Sequence, residues 1–355
     1  MSDCKTVRLG EILQIQPKSK IKAGDGSKVG IFPFYTCSNE LTKKIDTADY
    51  EGPALVFGTG GNASVHYVNG KFSTSTDCLV YKTNSNTNLS LINKYLRANI
   101  YLLENGFKGA GLKHISRDYI SNIEIKLPDS TIQEKVVSQL DLLESNITKH
   151  KTILEKLDLL IKSRFIEMFG DSNYSKNTIG DLCYLNRYPT FYGFEYQTTG
   201  IPVIKIGNIG TNNKVTLSKD SFDYVSDEIN NKFPDTQIEL FDIVMAVRGD
   251  GSTAKRIGII EDNNLYHANI SPNLIIFRIK RELNPYYLLT FLLSEEGQKR
   301  LDKYVTKTAK KTITANDIKK IEIQVPPIEL QNDFAAFVQQ IDKSKFEYNI
   351  EEIAA

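Results

Sequence analysis

Residues 115–128 of the chain read ISRDYISNIEIKLP and residues 313–326 read ITANDIKKIEIQVP, so the chain repeats itself at an offset of 313 − 115 = 198. The offset holds without a gap beyond these segments: Ile132-Gln133 aligns with Leu330-Gln331, Val136 with Phe334, Leu140 with Val338 and Leu143 with Ile341. The fronts match as well, Leu9-Gly10-Glu11-Ile12 against Ile179-Gly180-Asp181-Leu182. A repeat this long makes each copy one folding unit with its own core. The order is globule, helix, globule, helix: 1–128, 129–170, 171–327 and 328–355.

The stretch 129–170 is predicted to be one helix. Ile132, Val136, Leu140, Leu143, Ile147, Leu154, Leu157, Ile161, Phe165 and Met168 recur at steps of three, four and seven, which puts them on one stripe. No Pro or Gly interrupts it before Gly170, and charges of both signs cover the remaining faces. About forty residues of helix reach roughly 60 Å, so the stripe needs a partner. The second copy supplies one, and the stripe is expected to pack on Leu330, Phe334, Phe337, Val338 and Ile341. The sequence ends at Ala355, equivalent to Leu157, so the second helix is expected to be the shorter.

Each globule reads as α+β. Ile31–Thr36, Ala54–Phe57 and Leu79–Lys82 are short apolar or alternating runs bounded by turn residues, as are Val203–Ile206, Asp242–Val247 and Leu274–Lys280. Leu89–Asn105 has helical spacing, and Asn284-Pro285 reads as the N-cap and first position of a helix running to about Tyr304. A hydrophobic content of 41% supports two cores, and a net charge of +1 excludes a global basic field. The four cysteines form no CxxC pair and read as reduced thiols of a cytoplasmic protein. MSDCKTVRLG has no apolar leader core, and no apolar run is long enough to span a membrane.

Three catalytic signals are weaker than their structural readings. Val56-Phe57-Gly58-Thr59-Gly60-Gly61 is similar to the glycine turn of methyltransferases that bind S-adenosylmethionine, but Asn62–Tyr67 leads to a strand rather than a helix. Asn284-Pro285-Tyr286-Tyr287 has one of the two prolines of an amino-methylating NPPY loop. Asp118 with Glu124 and Lys126 resembles a nuclease metal site, yet the second copy has Asn316, Glu322 and Gln324 there. The histidines 66, 114, 150 and 267 lack metal or nucleophile–base spacing. No catalytic residue and no metal ligand is assigned.

Basic loops recur at matching places. Lys18, Lys20 and Lys22, then Lys108, Lys113 and His114, lie in the first copy; Arg248, Lys255 and Arg256, then Lys307, Lys310 and Lys311, lie in the second. Such loops contact phosphates. Thr59, Asn62, Ser75, Thr76, Asn208 and Ser252 are candidates for base edges, Arg248 for a guanine and Tyr192 for a groove. Singly each reads as a solvated charge or turn residue, and Phe191 and Phe194 beside Tyr192 as packing; together they point to DNA.

This order of parts, with the signature …I..IEI.LP…Q….V..L ending each globule, resembles the specificity subunit of type I restriction–modification systems. The resemblance rests on Leu9–Ile12, Gly58–Asn62, Ile115–Leu127 with Gln133, and the second copies ending in Ile313–Val325 with Gln331. It implies two tandem target recognition domains of similar α/β fold, separated by two long helices that form an antiparallel coiled coil with pseudo-two-fold symmetry. Val136, Leu140, Leu143, Ile147, Leu154 and Leu157 would then face Phe334, Val338 and Ile341. It further implies that each domain reads half of a split site on double-stranded DNA, with helix length setting the gap. Two methyltransferase subunits would methylate adenine N6 with S-adenosylmethionine, and motor-nuclease subunits would use ATP and magnesium. No cofactor is expected on this chain. A stand-alone DNA-binding adapter is the alternative.

Overall fold

The computed structural model describes residues 4–83, 85–170, 173–187, 195–215, 222–249, 255–306 and 311–354, with side chains up to 346. Two compact units result, 1–148 and 149–355, so the division falls inside the long helix rather than at its start.

In the first unit, β1 (Lys5–Arg8), α1 (Leu9–Ile12) and β2 (Leu13–Ile15) are followed by β3 (Phe32–Tyr35), β4 (Lys43–Ile45), β5 (Tyr50–Glu51) and β6 (Ala54–Gly58). Then come β7 (Ser64–Val68), β8 (Lys71–Thr74), β9 (Cys78–Thr83), α2 (Leu89–Ala98), α3 (Tyr101–Glu104), α4 (Arg117–Ser121) and β10 (Glu124–Leu127). Two sheets form, in the orders β2-β9-β6-β7 and β4-β3-β8-β5, while β1 pairs with β10. Strand β6 is buried along its whole length, with Leu55 and Phe57 in one core and Ala54 and Val56 in the other. Period-two alternation with both faces covered is why this strand reads as a continuous apolar run. The predicted helix 89–105 is broken at Asn99, which leaves helical geometry while its Nδ2 donates to the Tyr95 carbonyl (2.9 Å).

The second unit repeats the plan: β11 (Lys176–Thr178), α6 (Ile179–Leu182), β12 (Cys183–Arg187), β13 (Ile201–Ile204), β14 (Lys214–Val215), β15 (Asp223–Val225), α7 (Asp227–Asn231) and β16 (Ile243–Ala246). It continues with β17 (Arg248–Gly249), β18 (Ile257–Ile260), β19 (Asn269–Ile270), β20 (Leu274–Ile279), α8 (Pro285–Leu293), α9 (Glu295–Asp302), β21 (Lys311–Thr312), α10 (Ala315–Lys319) and β22 (Glu322–Gln324). Its main sheet runs β12-β20-β16-β18-β14. Strand β16 divides as β6 does, Ile243 and Met245 to one core, Val244 and Ala246 to the other. Asn284 caps α8 by accepting from the Tyr286 N–H, with Pro285 in the first turn. The predicted single helix breaks at Ser294, which caps α9 through the Gly297 N–H (3.1 Å). A Cβ on Gly297 would lie 2.0 Å from the Phe291 carbonyl oxygen, so glycine is required there.

The repeat signatures have structural causes. Leu9 N–H donates to Ile123 O (2.9 Å) and Ile179 N–H to Ile321 O (2.8 Å), the same bond in both units. The end signature holds a buried glutamine. Gln133 accepts from the Asn88 N–H (2.9 Å) and donates to Pro128 O (2.9 Å). Gln331 accepts from the Asn284 N–H (2.8 Å) and donates to Pro326 O (2.7 Å) and Glu282 O (3.2 Å). Each glutamine thus ties the start of a long helix to the residue that caps a domain helix.

The long helix α5 spans Ser130–Phe169. Asp129 caps it by accepting from the Ile132 N–H (3.0 Å) and the Thr131 hydroxyl (3.0 Å); these bonds hold its carboxyl below the usual range. Within the first unit, Gln133 and Val137 are buried, Ile132, Val136 and Leu140 half-buried, and 141–148 exposed. Within the second, Leu154, Leu157 and Ile161 are half-buried, and Phe165 and Phe169 buried. Helix α11 (Ile328–Ala354) buries Phe334, Ala335, Val338 and Ile341. Phe334 meets Phe165 (5.4 Å between centroids) and Phe169 (5.6 Å), which also meet Tyr287 (5.4 and 4.9 Å). Lys345 pairs with Asp158 at 2.6 Å, so α11 runs antiparallel to the 158–169 stretch of α5.

The expected helix interface therefore needs correction. Val136 packs on the first unit's core, and Leu143 and Ile147 are 44% and 40% exposed. Phe165 and Phe169 are the ring partners of Phe334. Aligned copies mark equivalent residues, whereas antiparallel helices bring the start of one against the end of the other.

Candidate nucleic-acid interface

In the first unit the candidate loops meet at the end of β6. Gly58 closes the strand, and a Cβ there would lie 2.3 Å from Ser64 Oγ and 2.9 Å from Cys37 Cα. The chain turns through Thr59–Asn62 into β7, antiparallel to β6. A hairpin cannot present a helix N-terminus to a cofactor, so the methyltransferase-like reading fails on topology. Lys108 and His114 close the basic loop through paired backbone bonds of 2.9 and 3.0 Å. That loop joins the turn: Ile115 N–H donates to Thr59 O (3.0 Å), Gly61 N–H to Lys113 O (3.2 Å), and His114 Nδ1 lies 3.2 Å from Thr59 O. The Thr59 N–H reaches Asp77 O (2.9 Å), and the Thr76 N–H reaches Ile21 O (2.8 Å), which brings in the turn of Lys18, Lys20 and Lys22.

Lys18, Lys20, Lys22, Asn62, Lys108, Lys113 and His114 are exposed, and Thr59 and Thr76 half-buried. The Thr59 hydroxyl is committed to Asp77 O (2.8 Å). Ser75 is a correction: it is fully buried, and its Oγ accepts from the Asp77 N–H (3.3 Å) to hold a turn, so it does not reach a base.

The second unit builds the same joint. Arg248 lies opposite Thr312 and Gly249 opposite Lys311. Ile313 N–H donates to Val247 O (3.0 Å) as Ile115 does to Thr59, and Val247 N–H to Asn273 O (2.9 Å) as Thr59 does to Asp77. Arg248 and Lys311 are exposed. Two candidates are engaged within the protein: Lys255 pairs with Asp302 (2.5 Å), and Asn208 Oδ1 accepts from the Lys205 N–H (2.7 Å). Tyr192 with Phe191 and Phe194, and Ser252, Lys307 and Lys310, lie outside the described residues.

The other signals resolve as structure. Glu124 and Lys126 point outward from β10 while Ile125 and Leu127 point inward, and Glu124 pairs with Arg8 (3.3 Å). His66 packs beside Tyr35 with Nε2 2.8 Å from Ser38 O, and burial lowers its pKa. His267 occupies a turn at φ 65°. Among the described residues, no group of three or more His, Cys, Asp or Glu is placed to hold a metal. No helix among them is long and apolar enough to cross a membrane.

The sequence matches the model of the type I restriction modification DNA specificity domain twice, over residues 1–159 and 171–354. The chain belongs to that family. It is a specificity subunit carrying two DNA-recognition domains in tandem, of a family that is itself non-catalytic. It is similar to the type I restriction enzyme MjaVIII specificity subunit of Methanocaldococcus jannaschii, 23% identical over 376 aligned positions that cover 96% of this chain and 86% of the relative. The EcoDI specificity subunit of Escherichia coli is 26% identical over 165 residues, 45% of this chain and 35% of the relative. In fold the chain resembles the type I restriction–modification S subunit from M. genitalium, with a TM-score of 0.68 at 11% identity, covering 99% of this chain and 93% of that one.

Proposed function

We propose that this chain reads a split target on double-stranded DNA, one half-site per domain. The first domain would read with the joined loops Thr59–Asn62 and Lys108–His114, the second with the strand pair around Arg248 and Lys311. The observation that carries the reading is that loops of unrelated sequence are latched at the same place by the same main-chain bond, from Ile115 to Thr59 and from Ile313 to Val247. Exposed cations there are suited to phosphates, and the bidentate guanidinium of Arg248 to a guanine edge. The chain positions and does not catalyse. Two methyltransferase subunits would bring S-adenosylmethionine and flip out an adenine for N6 methylation. Two motor-nuclease subunits, with ATP and magnesium, would complete a cutting complex. Cytoplasm is the compartment where these partners and the DNA meet.

The test is a methylation map. The chain is expressed with its methyltransferase partner in a host lacking adenine methylation, and N6-methyladenine is located by sequencing. The expected result is two short specified halves around a fixed unspecified gap. Exchanging the second domain for that of a relative then changes one half alone. A continuous motif would refute the reading by two domains.

A further inference from the structure

Cys37 and Cys78 are far apart in sequence and adjacent in the fold, directly beneath the Gly58–Asn62 turn. Cys78 opens β9 opposite Gly58, so its side chain projects on the side where a Gly58 Cβ would stand. The Cys37 backbone crosses that spot: its Cα lies 2.9 Å and its Cβ 3.3 Å from that position. The Cys37 thiol donates to Asp77 O (3.0 Å), the carbonyl of the peptide bond leading into Cys78. The same carbonyl accepts from the Thr59 N–H and hydroxyl, and the Gly60 N–H donates to the Cys37 sulfur (3.4 Å). The turn is thus hung on Cys37 and on the peptide bond before Cys78.

The two thiols differ in access and in polarity. Cys37 is half-buried, and Cys78 is 1% exposed. The Cys78 Sγ donates to Tyr35 O (3.7 Å), and the neighbouring Cys78 thiol, together with the Gly60 and Thr59 backbone, lowers the Cys37 pKa against burial and the nearby Asp77 carboxylate. The neighbouring Cys37 and burial raise Cys78. An accessible, acidic thiol beside a buried second one is the arrangement of an attacking and a resolving cysteine.

We propose that Cys37 and Cys78 are a peroxide-responsive dithiol whose oxidation resets the Gly58–Asn62 turn. The Cys37 thiol gives up its proton and the thiolate attacks one oxygen of hydrogen peroxide; an S–O bond forms, the O–O bond breaks, and the departing hydroxide takes up the released proton to leave as water. Cys78 then attacks the Cys37 sulfur; an S–S bond forms, the S–O bond breaks, and hydroxide leaves with the Cys78 proton as a second water. Two thiols lose two electrons and one peroxide gains them. The oxidised Cys37 sulfur no longer donates to Asp77 O and is a poorer acceptor for the Gly60 N–H. The consequence for DNA rests on the two-domain reading proposed above; disulfide formation does not.

The test treats the full chain with equimolar hydrogen peroxide and maps its peptides without reduction. The expected product links Cys37 to Cys78 with the loss of two hydrogens, forms faster than exposed Cys4 is oxidised, and is absent from Cys37→Ser and Cys78→Ser. In Cys78→Ser, a sulfenic acid accumulates on Cys37 and is trapped by a cyclic dione. On duplex carrying the mapped site, the oxidised chain binds severalfold more weakly, and dithiothreitol restores it. Oxidation of Cys37 no faster than Cys4, or linkage to Cys4, overturns the dithiol. Disulfide with unchanged affinity overturns its control of the turn. A reduced chain that binds no DNA overturns the DNA reading alone, and the peptide map still decides the dithiol.

Discussion

Replacing Gln331 by Leu tests how the second long helix is anchored. The side chain is fully buried, and leucine keeps its approximate volume, so the change isolates the hydrogen bonds from a cavity. It strands the Asn284 N–H, which has Gln331 as its acceptor, and removes a donor from Pro326 O and Glu282 O. An unsatisfied buried polar group costs about 1–3 kcal/mol; the amide loses its acceptor, and the carbonyls keep other lone pairs, so the expected loss is about 2–4 kcal/mol. Against a typical domain stability of about 5–15 kcal/mol this is a large fraction. The assay is urea unfolding followed by circular dichroism and by tyrosine fluorescence, the chain having 18 Tyr and no Trp. Gln133→Leu, which strands the Asn88 N–H, should show a similar but smaller loss, because Gln133 makes one bond fewer and is 6% exposed. A loss below about 0.5 kcal/mol for Gln331→Leu would mean that water or rearrangement satisfies these groups and that the glutamine is no anchor.

Phe334→Ala removes the ring that packs on Phe165 and Phe169 and should cost about 3–5 kcal/mol in the same unfolding assay; a cost under about 1 kcal/mol would show that the helix contact is loose. Gly58→Ala forces a methyl against Ser64 Oγ and Cys37 and should cost about 1–3 kcal/mol, read as a lowered melting temperature. Lys113→Ala and Lys311→Ala, both exposed, should leave melting unchanged and each reduce the slope of log affinity against log salt by about 1, measured by fluorescence anisotropy. Because contact with Cys78 and the Gly60 and Thr59 backbone lowers the Cys37 pKa, its alkylation should titrate with a midpoint below the ordinary thiol value of about 8.5, whereas a midpoint at or above that value would contradict the geometry.

Much of the architecture was legible because it is periodic or duplicated. Strands β6 and β16 are covered on both faces and so read as apolar runs, and α5 reads as an unbroken stripe between Asp129 and Gly170. Breaks were less legible. Asn99 and Ser294 interrupt helices through side-chain bonds to neighbouring backbone groups, and neither residue type is exclusive to breaks. Of the candidate site, the correspondence between the two halves of the basic loops and of the turns at 59 and 248 follows from the repeat; that each loop joins its turn emerges only from the main-chain bonds. Ser75 was misjudged because a serine that holds a turn and one that faces solvent have the same sequence context. Phe169 and the Cys37–Cys78 pair were missed because their partners are distant in sequence and carry no shared spacing. Gln133 and Gln331 stood out as repeated letters, yet their work, accepting from the amides of Asn88 and Asn284, appears only once the helices are placed.

The joint beneath each reading loop consists of main-chain bonds, Ile115 to Thr59 and Ile313 to Val247. The bonds that form such a joint come from the main chain, and the sequence beside it is Thr-Gly-Gly-Asn in one domain and Arg-Gly-Asp-Gly in the other. Under the proposed reading, substitutions at the exposed positions of these loops meet little resistance from folding and are judged mainly by what the DNA accepts. Recognition can drift while the frame stands still, and a fold at TM-score 0.68 can persist at 11% identity. If these loops read the target as proposed, a lineage holding such a chain can change the sequence it recognises without first having to rebuild the protein that reads it.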